Sequence, residues 1–387
     1  MKSFRVSSLV ALAVAAALSG CAATHGMTET AMESAKSMEG QPQVNRQAVA
    51  PALYELAYSP SQDALYVVSA GGFDVNTSPS KVLRLDPKTL AVKAEIALPV
   101  PGFGLALDDE AHRLYISNTR VGSMTVVDVA NDSVVGTVTV DPQQAAAGSM
   151  DPAKAAKFKY REVLLDKARH RVYLPALAYS NDSALHVVNT DTLQVEKVVP
   201  GLGYSATGIA LDDAAGKIYV SNLAGQVNVV DAGTLTVSKK FDVDADQILD
   251  IKVDSANGRL LAVDEGFDKI DAKREREGFK YTPHGKGNKV VAINPTNGQV
   301  TQTFTSGTQP VALLLDAQRN RFFVSNRESG NVAIIDASTG SVLKTVDLHR
   351  YPNSMALNQK TGEVYVTVKN SRDDSPDAKE SVAVIKY

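Results

Sequence analysis

The stretch Lys217-Ile218-Tyr219-Val220-Ser221-Asn222 decides the fold, because close variants of it recur along the chain. An aromatic or leucine flanked by aliphatic residues returns in ALYVVS, RLYISN, RVYLPA, KIYVSN, RLLAVD, RFFVSN and EVYVTV, centred on Tyr66, Tyr115, Tyr173, Tyr219, Leu261, Phe323 and Tyr365. Seven positions before each centre stands a turn-former: Ser59, Asp108, Asp166, Asp212, Asp254, Asp316 and Asn358. Short apolar runs such as GLAL, GIAL and VALLL precede these residues. A constant offset in every copy predicts two strands, A and B, joined by a hairpin of fixed length.

A second phrase follows each aromatic: LRLD, TVVD, HVVN, NVVD, VAIN and AIID, ending at Asp86, Asp128, Asn189, Asp231, Asn294 and Asp336. A short turn and another strand come next. Asp or Asn suits that position because its side chain bonds its own backbone two residues on. Each repeat therefore reads as four antiparallel strands, A to D, in 42 to 62 residues. Four-stranded units repeated radially make a propeller, since lone meanders leave both faces uncovered. The expected fold is an all-β, seven-bladed β-propeller. The last copy ends on its third strand, at Tyr387, so the segment near Gln47 to Ala52 is expected to supply the fourth and close the ring.

YISN, YVSN, FVSN and YVTV resemble the YVTN repeats of bacterial surface and periplasmic propellers. From Pro51 to Tyr387 the chain is similar to the YncE-type members of that family, including YELAYSPSQDALYVV (54–68) and YPNSMAL (351–357). The resemblance covers nearly the whole expected mature chain and is specific for fold. It implies a periplasmic protein and, from reports on some members, single-stranded DNA binding. The chain departs from the family by a lipoprotein-like leader and a longer loop in blade 5.

That leader begins with Lys2 and Arg5, followed by the apolar run Leu9–Leu18, too short to span a bilayer as a helix. Leu18-Ser19-Gly20-Cys21 then resembles a lipobox, in which small residues fit the peptidase and the thiol takes the lipid. Residues 1–20 are read as a signal peptide, 21–45 as a lipidated Cys21 and flexible tether, and 46–387 as the propeller. With Ala22 and Ala23 after the cysteine, the expected address is the periplasmic side of the outer membrane, the lipid on Cys21 being the membrane contact.

Composition narrows the rest. The chain has 387 residues, 44% hydrophobic and 21% charged, with a net charge of −3, which argues against duplex nucleic-acid binding through bulk positive charge. A single cysteine excludes an intrachain disulfide or a cysteine-based metal cluster. The six histidines show no metal-binding spacing, and no nucleophile elbow, P-loop or haem motif is present. His112 and His170 hold matching A–B turn positions, where a solvated turn role is expected, and the pairs Ser117-Asn118, Ser221-Asn222 and Ser325-Asn326 are expected to cap B–C turns.

Two groups of residues are candidates for function. Every long insertion falls in a B–C or D–A connection: Ala70 to Lys81, Asp141 to Lys159, Pro175 to Ser183, Glu265 to Lys289 and Lys369 to Ser381. These connections share one rim, so that face is the expected working surface. Its ligand-binding candidates are Lys154, Lys157, Lys159 and Arg161, with Phe279, Lys280, Tyr281, His284 and Lys286 in the blade 5 loop. Aromatics between cations suit a protein partner, a glycan or a single-stranded nucleic acid. The second group lies four residues before each A–B turn-former, where Glu55, Glu162 and Asp250 alternate with Gly104, Gly208, Ala312 and Ser354 around the channel mouth. Those acids would hold a cation or polar ligand, or bond loop amides. The expected function is non-catalytic binding or scaffolding by a monomer without cofactor. The alternatives are single-stranded DNA binding and a lactonase-like hydrolase built on the acidic mouth.

Overall fold

The computed structural model describes residues 41–72, 78–119, 121–141, 157–371 and 373–387. Cys21, the leader and Lys154 lie outside the described residues. Among the described residues no helix is long and apolar enough to cross a membrane.

Seven sheets follow one another in chain order. Blade 1 consists of Leu53–Ser59, Ala64–Ser69, Lys81–Leu85 and Val92–Ala97, each strand hydrogen-bonded to the next. Blade 7 contributes Tyr351–Leu357, Val364–Lys369 and Glu380–Lys386, and its outermost strand is β1, Gln43–Ala50. The expected closure by the N-terminal segment is therefore present, and β1 begins three residues before the boundary read at residue 46. Seven apolar clusters lie between neighbouring blades: Tyr66, Val82 and Ile96 of blade 1, for instance, pack on Leu114, Ile116 and Val127 of blade 2. Burying such side chains yields about 1.5–3 kcal/mol each, so the ring is held at its seams.

The hairpin offset has a conformational cause. Three residues before each blade's aromatic, the chain takes positive φ in every copy: Asp63, His112, His170, Gly216, Gly258, Asn320 and Gly362. His112 and His170 are thus turn residues, as expected. The Ser, Asp or Asn that opens the turn accepts a backbone N–H three residues on in six copies, from Gln62 to Ser59 through Thr361 to Asn358. The C–D turns close as expected from Asx geometry, Asp231 accepting from Gly233 and Thr234 at 3.0 and 2.9 Å.

The Ser-Asn pairs divide their work, which corrects the capping expectation for the serines. Asn222 does cap its B–C turn, accepting from the amides of Ala224 and Gln226. The hydroxyls instead clamp the next blade: Ser221 donates to Ile248 O at 2.8 Å, Ser325 to Asn353 O at 2.6 Å and Thr367 to Tyr54 O at 2.9 Å. The strand side chain facing a seam can satisfy a carbonyl that the neighbouring blade leaves bare.

Six of the seven innermost strands are interrupted at the channel-facing position or one residue from it. Register shifts fall between Leu53 and Leu56, Ala206 and Ile209, Ile248 and Ile251, Pro310 and Ala312, and Pro352 and Met355. In blade 3 the strand splits into Lys159–Tyr160 and Leu164–Asp166 around Arg161-Glu162-Val163. Bulges re-aim side chains, and here they turn Glu55, Glu162 and Asp250 into the channel. Gly104 is needed by close approach: a Cβ there would lie 1.8 Å from Arg161 O of the next blade.

Candidate functional site

The three acids meet. Glu55, Glu162 and Asp250 line one cavity of about 100 Å³ with Ser354 and Lys252. Ser354 Oγ donates to Glu55 Oε2 at 2.9 Å, and Asp250 Oδ2 accepts the amide of Leu313 at 2.8 Å. Lys252 Nζ donates to Asp250 Oδ1 at 2.6 Å. This lysine escaped the sequence reading, although its spacing of two from Asp250 places both on one face of a strand. Burial, reinforced by the charge of Glu162, pushes the Glu55 carboxyl up to about 8, and burial with Asp250 raises Glu162. Burial would lower Lys252, but Asp250, Glu162 and Glu55 hold it above the ordinary lysine value. Among the described residues no three His, Cys, Asp or Glu side chains converge to hold a metal ion, and the positive charge in this tier is the chain's own ammonium.

Above this tier a funnel of about 1190 Å³ opens onto the decorated face. Four of the five long connections contribute to it, through Lys159, Leu177 and Tyr179, Gly266 to Lys269 with Asn288, and Lys369 with Asn370. The described parts of these four connections therefore emerge together. Five cations line the wall (Lys159, Arg161, Lys269, Arg327 and Lys369) against two acids, Asp268 and Glu328. At the base Tyr54 and Phe103 stack with centroids 3.7 Å apart. Arg161 lies over Phe103 at 5.4 Å and Lys369 over Tyr54 at 4.1 Å. Arg327 donates to Asn353 Oδ1 at 2.5 Å and stands 3.8 Å from Glu265. Lys369 bonds Leu53 O at 2.6 Å and Glu380 at 2.9 Å, and burial lowers its ammonium below the ordinary lysine range.

The sequence candidates divide on this geometry. Lys159 and Arg161 line the funnel, whereas Lys157 sits beside Phe158 and 3.6 Å from Asp182. The blade 5 loop contains a helix, α1, Asp268–Arg276. Its candidate rings Phe279, Tyr281 and His284 pack against the body of the propeller. Phe279 stacks on Tyr204 at 4.2 Å, and Tyr281 donates to Asp246 and lies under Arg274 at 4.3 Å. The His284 amide reaches the same carboxylate at 2.9 Å and its Nδ1 at 2.8 Å. A buried carboxylate must collect donors, so Asp246 draws Tyr281 and His284 inward and pins the loop. Lys280 and Lys286 are exposed and are not among the funnel-lining residues. The loop offers Phe267, Asp268 and Lys269 to the funnel instead.

The residues missed by the sequence reading carried a positional signal. Tyr54 and Phe103, like the candidate Arg161, each precede a channel-tier position by one. Arg327 and Lys369 each follow a blade aromatic by four.

A closed ring of seven four-stranded blades with one decorated face defines a seven-bladed β-propeller. No family model matches the chain. A protein named YncE from Salmonella typhimurium is 26% identical over 345 residues, 88% of this chain and 89% of its own. A YncE from Escherichia coli is 26% identical over 357 residues, 91% of this chain and 93% of its own. With the seven blades, these relatives make the chain a YncE-type propeller. Among solved structures, Kuenenia stuttgartiensis hydrazine synthase superposes with a TM-score of 0.65 at 15% identity, covering 88% of this chain and 97% of that one. That likeness concerns the fold alone.

Proposed function

We propose that the chain is a non-catalytic binding propeller that takes a negatively charged ligand with flat rings into the funnel of its loop-rich face. The observation that carries this reading is the stacked Tyr54–Phe103 pair with Arg161 and Lys369 over its rings. Stacked aromatics beside cations hold ring faces and anionic groups together. Of the partners considered (protein, glycan or single-stranded nucleic acid), the last supplies both features in every unit, and the family resemblance points the same way. The test is titration with a single-stranded thymidine oligomer at two ionic strengths. Affinity that falls as salt rises supports nucleic-acid binding through phosphate contacts; a flat response removes it. The lactonase-like reading is not favoured, because Lys252 takes the place its cation would need.

The proposal includes a lipid on Cys21 and a place on the periplasmic side of the outer membrane, supported by the apolar run Leu9–Leu18 and by Leu18-Ser19-Gly20-Cys21. Several acyl chains on one residue give stable anchoring. Cys21→Ser should move the protein from the membrane fraction to the soluble fraction, and retention in the membrane would discard the anchor.

A further inference from the structure

On the rim opposite the funnel, six blades carry a cation beside their central aromatic. Two residues before the aromatic stand Arg113, Arg171, Lys217, Arg259 and Arg321 in blades 2 to 6. Blade 1 has Ala64 there, and Arg84, paired directly opposite Tyr66, takes the role. Several of these side chains cross the seam to the next blade. Arg84 meets Asp132 at 2.8 Å, Arg171 donates to Ala232 O at 2.7 Å, Arg259 donates to Ala337 O, and Arg321 donates to Gly362 O at 3.3 Å.

Blade 7 breaks this pattern. The position holds Glu363, and the residue opposite Tyr365 is Val384. Glu363 pairs within its own blade, with Lys386 at 2.9 Å. At the seam between blades 7 and 1 a cavity of about 490 Å³ stands open, lined by Tyr58, Asp63, Pro87, Glu363 and Tyr365 among others. The hydroxyl of Tyr365 is buried beside Asn358 and makes no hydrogen bond of ordinary geometry. Its counterpart in blade 3, Tyr173, donates to Asp166 at 3.0 Å, and Arg171 comes from the same strand.

We propose that this seam cleft is a binding site for the guanidinium of an arginine presented by a partner chain. The partner's side chain would complete the seventh seam as the chain's own arginines complete the others. Tyr58, whose ring stacks on the buried Tyr365 at 5.7 Å, offers its partly exposed aromatic surface to a cation. Asp63 and Glu363 supply carboxylates. Pro87 occupies the C–D turn position whose counterparts, Ala232 and Ala337, accept from Arg171 and Arg259. A planar fork of donors suits such a set of acceptors better than an ammonium does. Lys88 and Lys360 at the mouth select against further positive charge, so the arginine is flanked by neutral or acidic residues.

The experiment uses the full chain and the capped peptide acetyl-Glu-Arg-Gly-amide, with its citrulline counterpart as the uncharged isostere. The arginine peptide should bind saturably, and citrulline should weaken it about tenfold or more. Glu363→Arg fills the cleft from within; it should abolish peptide binding and raise the thermal midpoint. Asp63→Asn, which keeps a residue suited to positive φ, should weaken binding about tenfold and leave the midpoint unchanged. Equal affinity for citrulline, binding retained by Glu363→Arg or Asp63→Asn, or no saturation by about 10 mM would each overturn the proposal.

Discussion

Lys252 Nζ and Asp250 Oδ1 lie 2.6 Å apart on one innermost strand, and this pair shares the channel tier with the buried carboxyls of Glu55 and Glu162. Three carboxyls share this cavity with the ammonium of Lys252 and the guanidiniums of Arg161 and Arg327. The ammonium stays charged beside Asp250, while Glu55, further burdened by burial and by Glu162, holds its proton up to about pH 8.

The sign of the pH dependence follows. An unfolded Glu titrates near about 4.3, so from there to about 8 the folded state binds a proton that the unfolded state has lost. Stability should therefore decline as pH rises through that window. Glu55→Gln should flatten the decline, with its largest relative gain in thermal midpoint above pH 8. Parallel wild-type and variant profiles between about pH 5 and 9 would refute the assignment.

The hydroxyl clamp can be weighed with an isosteric change. Thr367 Oγ1 donates to Tyr54 O at 2.9 Å and accepts the Ser354 amide at 3.1 Å. Thr367→Val keeps the shape and leaves these backbone groups without that partner. Denaturant unfolding should show a loss of about 1–3 kcal/mol; a change near zero would mean that the ring does not need the clamp.

Gly362 tests the hairpin geometry. Its φ is +79°, and a Cβ would lie 2.8 Å from Arg319 Nε. Gly362→Ala should cost about 1–2 kcal/mol, while Gly136→Ala, with nothing within 4 Å of its added Cβ, should be neutral or mildly stabilising. Equal effects would show that turn conformation is not what constrains the position.

Arg161 and Arg327 should matter more for binding than the exposed Lys280 and Lys286. Arg161→Ala and Arg327→Ala should each weaken thymidine oligomer binding about tenfold, and Lys280→Ala with Lys286→Ala should leave it nearly unchanged. The reverse ranking would move the binding surface to the outside of the blade 5 loop.

The blades were legible because backbone geometry repeats: a turn that needs positive φ, an Asx residue that closes the next turn and an aromatic that fills the seam each leave a mark at a fixed offset. The acidic tier was legible for the same reason, since Glu55, Glu162 and Asp250 share one offset. The funnel was only half legible. Arg161 stood out in a basic segment, but Arg327 and Lys369 are single residues in unremarkable strands, brought together by closure of the ring. The inward placement of Tyr281 and His284 was not legible, because composition does not reveal that Asp246, about 35 residues upstream of Tyr281, draws them toward the body.

The outermost strand of blade 7 comes from the opposite end of the propeller sequence, Gln43–Ala50 beside Glu380–Lys386. Closing that sheet joins segments separated by nearly the whole propeller, a long-range contact whose loop-closure entropy sets this latch apart from the local hairpins within each blade.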